Sequence, residues 1–436
     1  MKSIVISSNS SGGGKTTITL GIMKALMNRG YKVQGYKVGP DYIDAAFHSK
    51  ITGTPSRNLD LFLMGEEAVK ASFSRGEGDY GVVEGVMGLY DGKGIDSECS
   101  TAHVAKTLKL PIVLVLSPEA QIATLCAEIK GIMDYEDVNI VGVILNNISE
   151  GYYRLLKRAI EYNCGIKVFG YIPRDERLSV GSRHLGLVQS SEIEDLNEKI
   201  QICSELIESY VDLDSLMSCF KEVEKYGDKY HLKNIGLRTA VAYDKAFSFY
   251  YRENLELLEE LGEVIYFSPL KDKELPKDID FLYLGGGYPE VFAKELSENK
   301  TMLQSIKEAL EKGLNCYGEC GGLMYLTEVI EEDTMVGFFN GNTEMTKTLN
   351  NFGYSSLEIF TDNDKLPKGL KINCHEFHKS CVHLTNEKVY ELTKENYDGT
   401  IKKWNCGYVK NNTLAGYGHV HFLGNIQFLK EVLKIN

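Results

Sequence analysis

The sequence predicts an α/β protein of two domains, each built on a parallel sheet. Three observations carry this reading. The 436 residues exceed what one ordinary hydrophobic core holds. Short apolar, β-branched runs alternate with helical periods over the first 190 residues, and a second such series starts near residue 236. The stretch between them is polar, charged and helical in period, over Asp195–Leu216 above all. The expected organisation is a domain over 1–191, a helical connection over 192–235 and a second domain over 236–436.

In the first series the expected strands are Ser3–Ser7, Val33–Val38, Tyr80–Glu84, Ile112–Leu116, Ile140–Leu145 and Val168–Ile172. Their length and Val/Ile content suit strands buried on both faces. Thr16–Arg29 and Tyr152–Tyr162 read as helices between them. In the second series the strands are Thr239–Tyr243, Glu263–Phe267, Phe281–Leu284 and Asn315–Tyr317, with a helix over Phe247–Leu261. There is no internal repeat and no low-complexity segment.

Bulk composition narrows the partners. With 43% hydrophobic and 25% charged residues the chain is expected to fold, and its net charge of −13 argues against a nucleic-acid partner. No apolar run reaches the roughly 18–20 residues that span a bilayer, so no membrane partner is expected. Residues 1–7 enter a strand directly, without the charged start and apolar stretch of a signal peptide. The ten cysteines are scattered, without zinc spacing, and read as reduced thiols. A cytoplasmic location follows as the expectation; the sequence does not specify an oligomeric state.

The first chemical motif is Gly12-Gly13-Gly14-Lys15-Thr16-Thr17, which directly follows an apolar strand and opens a helix. That context makes a phosphate-binding loop: backbone N–H groups and the helix N-terminus face phosphate oxygens. Lys15 would neutralise the phosphates of ATP, and Thr16 would sit on Mg²⁺. Asn9 occupies the place of the loop's usual first glycine. Further metal-ligand carboxylates are sought at strand ends, where Asp41 and Glu84 stand. Asp60 is a weaker candidate on spacing. Asn146, ending a strand, either bonds the nucleotide base or simply terminates the strand.

The second motif is Tyr317-Gly318-Glu319-Cys320-Gly321-Gly322, a cysteine on a strand-to-helix turn. A nucleophile in such a turn is presented sharply, and its thiolate is stabilised by a helix N-terminus and a nearby histidine. The base is expected from Gly418-His419-Val420-His421. In a strand the two histidines share a face, so His421 stays open as an alternative to His419. Gly286 and Gly287, ending another strand, would with Gly321 supply oxyanion-hole N–H groups, unless they form a plain turn. His375-Glu376-Phe377-His378 is a weak zinc signal and reads better as a structural or substrate-facing strand.

Together these segments resemble the cobyrinic acid a,c-diamide synthases, nearly end to end. The resemblance runs through the phosphate loop, Lys37–Asp44, Glu84–Gly92, Arg183-His184-Leu185-Gly186-Leu187, Leu284–Glu290, Glu319–Leu326, His375–Ser380 and Gly418–Phe422. It implies a dethiobiotin-synthetase-like P-loop domain followed by a class I glutaminase of flavodoxin-like α/β fold. Cys320 then matches the nucleophile and His419 its activating histidine. Asp41, Asp44, Asp60, Glu84 and Asp91 match acidic positions of the synthetase site. The His-x-Glu arrangement of many class I glutaminases is absent, which leaves the third triad member unassigned.

The resemblance implies a glutamine-dependent ligase with ATP and Mg²⁺, acting on L-glutamine and cobyrinic acid in cobalamin biosynthesis. Acetate carboxylates of the macrocycle would become acyl phosphates, then amides. Near relatives acting on nickel sirohydrochlorin or hydrogenobyrinic acid leave the macrocycle open. A P-loop ATPase switch, which would not require Cys320, is the alternative from another class.

Overall fold

A computed structural model describes residues 1–175, 177 and 196–435. The segment Arg183-His184-Leu185-Gly186-Leu187 lies outside the described residues, as does the expected helix start at Asp195. Chain contacts divide the protein into two compact units: Met1–Leu61 with Gly65–Asp228, and Phe62–Met64 with Lys229–Asn436.

The first unit follows the order β1 (Lys2–Ser8), α1 (Lys15–Asn28), β2 (Val33–Val38), α2 (Tyr42–Thr52), β3 (Arg57–Leu59), α3 (Leu61–Arg75), β4 (Tyr80–Glu84) and α4 (Thr101–Leu108). It continues with β5 (Ile112–Leu116), α5 (Ala123–Tyr135), β6 (Ile140–Asn146), α6 (Glu150–Cys164), β7 (Lys167–Ile172), α7 (Leu196–Tyr210), α8 (Leu213–Ser218) and β8 (Lys221–Glu222). The sheet order is β3-β2-β4-β1-β5-β6-β7, every pair parallel, with β8 antiparallel on β1. Every residue of β2, β4 and β5 is buried, as helices on both faces require. The carboxyl ends of β1, β2 and β4 lie side by side, which places the loops after them in one crevice.

Two expectations for this unit change. The three-residue β3 was not read from the sequence, because so short a run carries no period. The single helix expected over Asp195–Leu216 is two helices. At the break, the Asp212 N–H donates to the Phe169 carbonyl (2.7 Å), and the Asp212 side chain caps α8 by accepting from the Ser215 N–H (3.0 Å). Ile207, Leu213, Leu216 and Phe220 join Ile4, Ile18, Ile22 and Val113 in one core.

The second unit runs β9 (Leu237–Ala242), β10 (Phe247–Phe249), α9 (Arg252–Leu261), β11 (Gly262–Phe267), β12 (Phe281–Leu284), β13 (Gly286–Gly287), α10 (Ala293–Glu298), α11 (Lys300–Glu311) and β14 (Asn315–Glu319). After these come α12 (Gly321–Leu326), β15 (Val329–Ile330), β16 (Asp333–Thr334), β17 (Gly341–Ile359), β18 (Lys371–Leu384), β19 (Lys388–Glu395), β20 (Ile401–Lys410), β21 (Thr413–Gly416), β22 (His419–Val420) and α13 (Ile426–Leu433). Strands β11-β9-β12-β14-β21 form a parallel sheet. β20, β19, β17 and β18 extend it antiparallel. The α/β architecture expected of both halves is what the structure has.

The helix expected over Phe247–Leu261 begins only at Arg252. Phe247 and Phe249 instead form β10, bury both rings and pair antiparallel with β13. Among the described residues no helix is long and apolar enough to cross a membrane.

Candidate active sites

Each unit carries one cluster of chemically active side chains. In the first, β1 ends at Ser8 and the glycine loop leads into α1. Gly14 caps that helix at φ +87°, a left-handed conformation that glycine adopts without a Cβ clash. The loop is braced from β5 and β6: the Gly13 carbonyl accepts from Ser117 Oγ (3.0 Å) and from Asn146 Nδ2 (3.1 Å). Asn146 therefore holds the loop backbone. Lys15 donates to the carbonyls of Ser10 (2.9 Å) and Met87 (2.6 Å). Burial and the nearby Lys37 charge lower its pKa, against the pull of Glu84, Asp44 and Asp91.

Thr16, on the first turn of α1, donates to Glu84 Oε1 (2.6 Å) and reaches Asp44 Oδ2 (3.4 Å). Lys37, buried near the carboxyl end of β2, bonds the same Glu84 oxygen (3.0 Å), Asp44 and the Gly85 carbonyl (3.2 Å). His48 Nε2 holds the other Glu84 oxygen (2.6 Å), and its Nδ1 meets Ser56 Oγ (3.2 Å). Burial opposes the Glu84 charge, but Lys37 and His48 outweigh it and keep that carboxyl well below the usual carboxylate range. Burial and the neighbouring acids Asp41 and Glu84 raise Asp44. Lys37 is raised: burial opposes its charge, and Asp44, Glu84 and Asp41 overcome it.

Of the expected metal trio, Thr16 and Glu84 meet directly, and Asp41 Oδ2 stands 3.9 Å from Lys37 Nζ. Asp41 Oδ1 caps α2 through the N–H groups of Ile43 (2.9 Å) and Asp44 (3.0 Å), and Asp44 is the acid that reaches Thr16. Asp91 organises the turn after β4 by accepting from the Gly88 N–H (2.8 Å). Asp60 is buried directly after β3, near Cys99, whose thiol burial and Asp60 push up to about 12. Sequence reasoning assigned no role to Lys37 or His48. A lysine inside an apolar strand was a usable signal, because buried lysines are almost always paired; His48 gave none.

In the second unit β14 ends at Glu319, and Cys320 turns at φ 51°, ψ −99° into α12. Its N–H is tied to the Gly416 carbonyl (2.8 Å) of β21. A Cβ on Gly322 would collide with the Leu284 carbonyl, so the turn requires glycine there to pack on β12. Gly286 runs against the His419 ring, and the Gly287 nitrogen lies 3.2 Å from where a Gly321 Cβ would stand. The three oxyanion-hole candidates thus sit around the cysteine turn.

His419 is buried, and its Nδ1–H donates to Glu319 Oε1 (2.7 Å). Burial opposes its charge, but Cys320 and Glu319 outweigh burial and push it up to about 10. A cationic imidazole beside a thiol is the pairing that yields a thiolate. His375 pairs across the strands with His419; burial and the His419 charge push it down to about 3. His421 follows β22 with the backbone still extended. Its Nε2 lies 3.4 Å from Glu253 Oε2, and its ring stands against Tyr251. His419, by contrast, is the histidine whose ring interacts with Cys320.

Glu376 and His378 are both buried. Glu376 accepts from Trp404 Nε1 (3.2 Å) and faces His378 Nε2 (3.1 Å), while His378 stacks on Tyr417 with centroids 3.7 Å apart. Among the described residues no group of three or more His, Cys, Asp or Glu side chains is placed to hold a metal by itself.

Two family models match the chain: a CobQ/CobB/MinD/ParA nucleotide binding domain over residues 4–188 and a CobB/CobQ-like glutamine amidotransferase domain over 238–426. A cobyrinate a,c-diamide synthase of Clostridium tetani is 70% identical, covering all of both chains. The one from Clostridium acetobutylicum is 64% identical, again over 100% of each. One from Caldanaerobacter subterraneus is 45% identical over 99% of this chain and 96% of its own. The chain belongs to the cobyrinate a,c-diamide synthase family, amidating ligases that join a nucleotide-binding domain to a glutamine amidotransferase domain.

Proposed function

We propose that this protein converts the a- and c-acetate carboxylates of cobyrinic acid to amides in cobalamin biosynthesis, with glutamine as nitrogen donor and ATP as driving force. The observation that carries the reading is the presence on one chain of a Cys320–His419 pair and of a phosphate loop whose Thr16 meets Asp44 and Glu84. Neither cluster alone makes an amide from a carboxylate and glutamine.

At the first site a macrocycle carboxylate attacks the γ-phosphorus of ATP, giving an acyl phosphate and ADP. The loop N–H groups and Lys15 stabilise charge on the transferring phosphoryl group. Thr16, Asp44 and Glu84 offer an oxygen-only donor set that suits Mg²⁺, which when bound supplies charge neutralisation at the phosphates. Lys37 keeps Asp44 and Glu84 together despite their like charge. Asn146 and Ser117 fix the loop carbonyl, so the N–H groups point away from it into the phosphate position.

At the second site the Cys320 thiolate attacks the glutamine side-chain carbonyl. The N–H groups of Gly287 and Gly321 receive the oxyanion, and His419 gives its proton to departing ammonia. Water then hydrolyses the thioester to glutamate. Ammonia displaces phosphate from the acyl phosphate and leaves the amide.

The deciding experiment offers cobyrinic acid, hydrogenobyrinic acid and nickel sirohydrochlorin separately, with ATP, Mg²⁺ and glutamine, and counts added amides by mass spectrometry. Two amides on cobyrinic acid, at the highest kcat/KM of the three, is the expected result. Preference for nickel sirohydrochlorin overturns the substrate assignment.

A further inference from the structure

His-x-Glu, the arrangement that supplies the third triad carboxylate in many class I glutaminases, is here His419-Val420-His421. His421 is a histidine set against Tyr251 and Glu253, so the position two after the base provides no carboxylate. Glu319, immediately before the nucleophile, ends with both carboxylate oxygens on the His419 segment. Oε1 accepts from the His419 ring at 2.7 Å, and Oε2 lies 3.4 Å from both the Val420 N–H and the Tyr283 hydroxyl. Glu319 and His419 are 1% and 2% exposed, so neither charge is solvated and each must be compensated by the other.

The backbone that follows His419 is also held in place. Asn254, fully buried, donates to the Val420 carbonyl (2.9 Å) and accepts from the Phe422 N–H (2.7 Å), clamping the chain on the far side of His419. Gly286 closes the Cε1 edge of the ring. With Nδ1 committed to Glu319, Nε2 is the nitrogen left for the sulfur. The titratable groups around this pair include Cys320, Tyr283 on β12, Tyr317 on β14, Tyr250, and Cys374 and His375 on β18.

We infer that Glu319 is the positioning carboxylate of the glutaminase, the third triad member, carried on the nucleophile's own strand rather than after the histidine. It fixes the Nδ1–H tautomer of His419 and favours the imidazolium that faces Cys320. The inference rests on the glutaminase reading proposed above.

The test uses the full chain with Glu319→Gln, Glu319→Asp and Cys320→Ser. In E319Q, glutamine-dependent kcat should fall on the order of 10²-fold or more, with KM for glutamine little changed. Amidation from added ammonia should persist. Iodoacetamide alkylation of Cys320, followed on its own peptide by mass spectrometry because Cys381 is exposed, should move to higher pH. E319D, which keeps the charge, should recover part of the loss. An E319Q enzyme with unchanged glutamine kcat and an unchanged alkylation profile overturns the assignment. So does equal loss of the glutamine- and ammonia-dependent reactions, which would make Glu319 a folding residue. A C320S enzyme that keeps glutamine-dependent amidation overturns the glutaminase reading itself, whatever E319Q does.

Discussion

Lys37 carries a charge near the carboxyl end of a strand whose six residues are all buried, and three carboxylates explain why that is tolerated. Removing one partner of a buried ion pair leaves the other uncompensated. Lys37→Met should therefore destabilise the protein by about 3–5 kcal/mol, read from urea unfolding. His48→Ala acts more locally, freeing one oxygen of Glu84. Amidation should fall with glutamine and with ammonia alike, while glutamine hydrolysis is retained; unchanged amidation would show that Glu84 does not depend on His48. At the other site, His419 rises from 6.5 to about 10 in the folded protein. A raised histidine contributes stability that is fully present below pH 6.5 and is lost as pH rises through about 10. The unfolding midpoint of wild type should accordingly lose its lead over His419→Asn across that window.

At the scale of elements, parallel strands were legible as short, β-branched or aromatic runs between helical periods, and β2, β4, β5 and β12 fall on their expected residues. β17 was not legible: over Gly341–Ile359 its buried and exposed residues follow no clean alternation. β10 was masked by the helical period that continues into α9. The C-terminal helix shows a dependence that its own sequence does not. Lys365, buried, bonds the Val432 carbonyl of α13 (2.8 Å), the Asn412 carbonyl (2.9 Å) and Asn315 of β14. Lys365→Met removes three charge-assisted bonds, although the Val432 and Asn412 carbonyls each keep one donor, Asn315 Nδ2 and the Cys316 N–H; it should cost about 1–3 kcal/mol, seen as a lower Tm without a change in KM for glutamine.

For the whole molecule, two compact units with separate cores predict that the two half-reactions separate by mutation. Lys15→Ala should abolish amidation from either nitrogen source while glutamine hydrolysis remains measurable, and Cys320→Ser should do the reverse with added ammonia. Joint loss of both half-reactions in each variant would contradict independent sites. The sequence by itself determined the α/β class, the phosphate loop, the cysteine turn and the candidate histidines, because each is a local pattern of glycines, strand ends and reactive side chains. Tertiary structure alone decided that Asp44 rather than Asp41 meets Thr16, that His421 turns to Glu253, and that Glu319 reaches His419. Those choices depend on which oxygen a cap consumes, which helix packs beside a histidine and which side chains face each other across 100 residues of chain, and local spacing carries none of that information.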